Sequence, residues 1–178
     1  MSPETFTLNV RRYCAWVESD THDPATVYPL LLALLEGVPG LAAPGGQQPK
    51  REGPGPPRKV QWADTKRFAD FPFQSYRAIF WPDEVHEEGA FTENIHLDFL
   101  HVYEELRHGL ELIDAGYVTR AIAYWRNSCF FHWGHHASAA VWAIEFEGLA
   151  PRRVEKGVAA NTGSAVGIGP SGIAERQS

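Results

Sequence analysis

The 178-residue chain reads as an all-α helical bundle of about four main helices, with one or two short ones, a long Pro/Gly-rich loop and a disordered C-terminal tail. Three observations predict it. Apolar residues recur at spacings of three and four over four separate stretches. Cap-and-proline or glycine signals bracket those stretches. No segment alternates Val, Ile and Thr in the two-residue rhythm of a half-buried strand. With 44% hydrophobic and 21% charged residues the chain can bury a core. Its length suits one domain, expected over residues 1–148 with a flexible stretch at 38–60, followed by a tail at 149–178.

Ser2 is a capping residue, Pro3 suits the first helical position, and Phe6, Val10, Tyr13 and Val17 repeat at helical spacing, so the first helix runs to about Asp20. Asp23-Pro24 repeats the signal, and Val27, Leu30, Leu31, Leu34 and Leu35 form a second stripe that closes at Gly37, with Pro29 placed to kink it. From Val38 to Lys59 six prolines and five glycines exclude regular structure. Trp62 to Trp81, interrupted by Pro72, predicts one or two short helices, followed by an acidic loop over 83–89. In the third helix Thr92 is the expected cap, and Ile95, Phe99, Val102, Leu106, Leu110 and Ile113 form a stripe that stops at Gly116. The fourth, about Val118 to Phe146, is apolar over most of its circumference, as a central helix would be.

Charge and cysteine usage narrow the function. Net charge is −6, yet 38–60 and 149–178 are locally basic, which leaves −11 on the remainder. A body that acidic repels a phosphate backbone, so no nucleic-acid partner is expected. No apolar run approaches the roughly 20 residues of a membrane span, and Met1-Ser2-Pro3-Glu4 lacks the basic start of a signal peptide. Two cysteines without paired spacing suit a reducing compartment, and a cytoplasmic protein is expected. The phosphate-cradling glycine loop, the dinucleotide fingerprint, Cys-x-x-Cys and His-Glu-x-x-His are all missing.

What remains is the segment from Cys129 to Ala137. At 100° per residue His132 and His136 lie about 40° apart, on the core-facing stripe of Trp125, Cys129, Ala139 and Ala143. Buried imidazoles need partners, and Asp98 and Glu105, seven residues apart on the third helix, are the nearest candidates. Two readings stand. A structural network, with a carboxylate orienting a neutral histidine and a tyrosine such as Tyr103 nearby, is preferred, and it carries no cofactor. The alternative is a zinc or iron site held by His132, His136 and a carboxylate, Asp98 or Glu105, with Cys129 as a further donor. His101 and His108 project away from Ile95 and Leu106 and are read as a solvated face. A Cys129–His132 nucleophilic pair is weaker still. Gly134, costly inside a helix, predicts close packing against a neighbouring helix.

The pattern Trp125 followed by His132-Trp133-Gly134-x-His136-Ala137 resembles a bacterial helical family, domain of unknown function 5063. Supporting matches are Asp98, Tyr103, Leu106, Gly109 and Leu110, the Ala115-Gly116 break, Phe80 and Pro82, and Phe6, Tyr13 and Cys14. The likeness spans roughly 5–145 and departs at Trp81, where an acidic residue is expected. It implies a helical fold and interest in His132, His136 and Asp98, and it supplies no reaction. The resulting expectation is a non-enzymatic protein that binds another protein, with a metal-dependent enzyme or metal-binding protein centred on His132 and His136 as the alternative.

Overall fold

The computed structural model describes residues 1–41, 55, 59, 61–79 and 90–149. Most of the expected Pro/Gly loop, the acidic loop and nearly all of the expected tail lie outside the described residues, while Val38–Gly40, where no regular structure was expected, forms a 3₁₀ turn with Pro39 near its start. The fold is all-α apart from one small hairpin.

Helix α1 (Pro3–Val17) begins as its sequence dictates: the Ser2 hydroxyl accepts from the Thr5 amide at 3.3 Å and Pro3 fills a position with no amide to lose. It ends at Val17, a turn earlier than Asp20, and buries Phe6, Val10, Tyr13 and Val17. Helix α2 (Pro24–Gly37) is capped by Asp23, which accepts from the Thr26 amide at 2.9 Å, and it carries Pro29 inside its length. Trp62–Phe68 forms the expected short helical piece, of 3₁₀ type. Phe68 and Phe71 then pack beside Trp16 and Phe99. The Asp70 carboxylate pins this segment to the end of α1, accepting from the His22 amide at 2.6 Å and meeting His22 Nδ1 at 2.9 Å. These bonds hold the Asp70 carboxyl below its usual range.

The absence of strands predicted from the sequence does not hold. Strand β1 (Ser75–Ile79) pairs antiparallel with β2 (Ala90–Asn94), Ser75 opposite Asn94 and Ile79 opposite Ala90. Five residues are too few to set up a visible alternation. Thr92 therefore lies in β2, and the cap of α3 (Ile95–Asp114) is Asn94, whose Oδ1 accepts from the amides of His96 and Leu97. The Ile95 amide donates to the Gln74 carbonyl, so the hairpin is welded to the start of α3.

Helix α3 is the central element and packs against α1, the 3₁₀ segment, α4 and α5. The central role expected for the fourth helix is thus corrected. Its apolar stripe is buried as predicted from Ile95 to Leu110, with Ile113 half-buried, and the opposite face is partly covered as well. Gly116, at φ +85°, supplies the left-handed residue that turns the chain into α4 (Val118–Ser128). The expected fourth helix is divided: α4 passes into a π-helical turn, Cys129–Trp133, then α5 (Gly134–Ala143), then a second π-helical stretch, Ile144–Leu149. Trp125 and Trp133 are fully buried, and each indole N–H finds a carbonyl, that of Leu106 for Trp125 and that of Trp125 for Trp133.

Candidate functional site

Asp98, His101 and Glu105 occupy one face of α3, since offsets of three and seven residues fall within about 60° of each other on a helix. The facing wall is the continuous α4–α5 rod. The π-turn inserts one residue per turn, marked by the Gly134 amide donating to the Cys129 carbonyl. His132 leaves the rod inside that turn and His136 one turn later, on α5.

Across this interface each histidine meets one carboxylate. His132 Nδ1 lies 2.8 Å from Glu105 Oε1, and His136 Nδ1 lies 2.7 Å from Asp98 Oδ1. The second oxygen of each carboxylate is also taken: the Tyr76 hydroxyl donates to Asp98 Oδ2 at 2.7 Å, and the Tyr124 hydroxyl donates to Glu105 Oε2. Burial and the adjoining carboxylate push both phenols well above their ordinary range, which keeps them donors. A carboxylate only accepts, so each Nδ1 donates, and in the neutral imidazole Nε2 is then the nitrogen with a lone pair to offer.

A third imidazole, that of His101, packs against both rings. The rings of His101 and His136 stack with centroids 4.4 Å apart, and His132 stands edge-on to both at 5.1 Å. One nitrogen from each of His101, His132 and His136 lies within 4.8 Å of the other two. Burial first, and then the neighbouring His136 and His132, push His101 down to about 4. At neutral pH it is an uncharged donor.

The pairing of His132 and His136 with Glu105 and Asp98 is therefore present. Asp98 and Glu105 each hold a histidine through its Nδ1. The solvated-face reading of His101 and His108 is corrected: His108 is buried and His101 half-buried, because α4 and α5 cover that side of α3. Phase relative to the apolar stripe gave the wrong answer for a helix covered on two sides. The signal that finds His101 is its offset of three from Asp98 and four from Glu105. Tyr103 bonds Glu18 instead of joining the network, and Tyr76 and Tyr124 take that place. Cys129 stands apart from the histidine group, with its thiol pushed up to about 11 by burial, so the nucleophilic pair has no support. Gly134 is closely packed as expected, but against its own π-turn: a Cβ there would lie 2.5 Å from the Cys129 carbonyl oxygen and 2.6 Å from its Sγ.

A cleft of about 270 Å³, lined by Arg67, Tyr103, Arg107, His108 and Glu111 among others, includes none of the three histidines. Among the described residues no helix is long and apolar enough to cross a membrane.

Residues 69–147 match a family described as a domain of unknown function, DUF5063. The match covers the hairpin, α3, α4 and α5, hence every residue of the histidine site. Helices α1 and α2, which the likeness read from the sequence also included, lie outside it. No curated protein and no solved structure matches the chain.

Proposed function

We propose that the protein, whose residues 69–147 match the DUF5063 family, binds a divalent transition-metal ion, of the zinc or iron class, through His101, His132 and His136. The observation that carries this reading is the charge balance. Asp98 and Glu105 are both buried, and among the described residues each pairs with a histidine rather than with a lysine or arginine. Buried carboxylates call for compensation. Two protonated imidazoles would supply it only by setting like charges a few ångströms apart beside His101. One divalent ion at the shared region supplies the same charge and accepts all three lone pairs. Carboxylate–imidazole–metal arrangements are the usual way such ligands are oriented. Neutral imidazole donors suit zinc, iron, nickel and copper, and metal–nitrogen distances of about 2.0–2.1 Å require the three rings to draw inward by small side-chain rotations.

The test is metal content and calorimetric titration of the full chain after chelation. One equivalent of zinc or iron is expected, lost in the triple variant His101→Ala, His132→Ala, His136→Ala and kept in His135→Ala. Equal binding by the triple variant, or none by the parent chain, overturns the reading.

A second reading, a protein-docking module, draws on Phe130 and Phe131, which are 83% and 80% exposed. They pack edge-to-face on each other on the outer side of the π-turn. Exposed aromatic pairs of this kind mark contact surfaces. A Phe130→Ser, Phe131→Ser chain that stays folded and co-purifies with the same proteins as the parent would remove this reading.

A further inference from the structure

Resting on the metal reading above, we propose that the centre is an open one: its fourth position holds water and exchanges it for a small monodentate anion such as azide or a carboxylate. The inference follows from which donors are already committed. All four oxygens of Asp98 and Glu105 are engaged, two by histidine Nδ1 atoms and two by the hydroxyls of Tyr76 and Tyr124. Each carboxylate meets the Nδ1 of its histidine, which leaves Nε2 as the nitrogen of that ring to hold the ion. Cys129 sits against Gly134, where its sulfur helps to fill the space a side chain would need. Among the described residues the group of possible ligands is the three histidines alone.

Among the described residues the histidine group is not sealed off. The His132 side chain is 38% exposed and that of His136 24%. Structural zinc sites are closed by four protein donors, whereas sites with three donors keep a position for water or substrate. The charge points the same way. Three neutral imidazoles leave the ion its full positive charge, and the two carboxylates that offset it are buried, each with both oxygens already engaged. In the exchange one azide nitrogen forms the bond to the metal as the metal–oxygen bond breaks and a neutral water leaves, so no oxidant or proton donor is needed.

The full chain, loaded with one equivalent of cobalt(II) as a coloured substitute for zinc, is titrated with sodium azide, with sodium perchlorate as the ionic-strength control. The expected result is a saturable shift in the visible cobalt band with azide and none with perchlorate. The His135→Ala chain should repeat it, because that residue stands outside the ligand group. A loaded chain whose spectrum does not respond to azide means a coordination sphere closed by protein, and the open site falls while the metal reading survives. A chain that takes up no cobalt, zinc or iron overturns both.

Discussion

The two tyrosines that stand behind the carboxylates set how well the histidines are aimed. Tyr124 holds Glu105 and Glu105 holds His132, while Tyr76 holds Asp98 and Asp98 holds His136. Residues in that supporting position typically change metal affinity by 10–100-fold when altered. Tyr124→Phe, which removes only the hydroxyl, is expected to weaken zinc binding about tenfold, and Glu105→Gln to come nearer the top of that range. Competition against a chelating dye measures both, and an affinity equal to the parent's in Glu105→Gln would show that Glu105 does not orient His132. His101 answers to a different measurement. Its folded value of about 4 lies below its ordinary 6.5, so as pH falls the unfolded chain takes up this proton first. Stability then rises with pH wherever the unfolded state holds more protons. The metal-free chain should lose stability on this account between about pH 6.5 and pH 4, and the loss should be missing in His101→Gln. Parallel pH profiles for the two chains would contradict the assignment.

At the scale of elements, the glycines show which helical contacts are non-negotiable. Gly109 lies where α3 meets Trp125; a Cβ there would stand 1.9 Å from the indole Nε1, whose bond to the Leu106 carbonyl would be lost. At Gly134 the colliding atom is the backbone oxygen of Cys129, which cannot swing aside without opening the π-turn. Replacing glycine by alanine inside a helix gains about 1 kcal/mol in propensity, and overpacking typically costs 1–3 kcal/mol, so the overlap should win at both positions. Gly109→Ala is expected to be the more damaging, and Gly134→Ala to weaken metal binding as well, because the turn sets His132 relative to His136. Denaturant midpoints and zinc affinities for the two variants test this, and a Gly134→Ala chain more stable than the parent would refute the collision. The same elements show what the sequence could reveal. The helical phase of 132 and 136 and the seven-residue spacing of Asp98 and Glu105 were enough to pair them across two helices. The hairpin was not legible, since Ser-Tyr-Arg-Ala-Ile alternates too briefly to register, and with it went the place of Tyr76. The π-turn was not legible either, because an extra residue in a helix leaves the run of helix-forming residues unbroken.

Across the whole molecule the site joins parts that are distant along the chain. His101 comes from α3 and the other two histidines from the middle of the α4–α5 rod, while Tyr76 ties in the hairpin. Through α3 the same clasp reaches α1, where the Tyr13 hydroxyl donates to the Phe99 carbonyl at 2.9 Å. An ion held by all three histidines binds the folded chain far better than the unfolded one, in which only the near neighbours His132 and His136 can still share it. A ligand at a hundred times its dissociation constant stabilises the native state by about 2.7 kcal/mol, and 1 kcal/mol moves the melting point of a domain this size by about 2–4 °C. Zinc at that excess should therefore raise Tm by about 5–10 °C, and chelation should reverse the gain. In His101→Ala most of the gain should vanish, because the pair that remains is offered by the folded and unfolded chains alike. Calorimetric scans with and without zinc on the two proteins decide the matter: an equal rise in both would mean that His101 does not share the ion, and that α3 contributes carboxylates but no ligand.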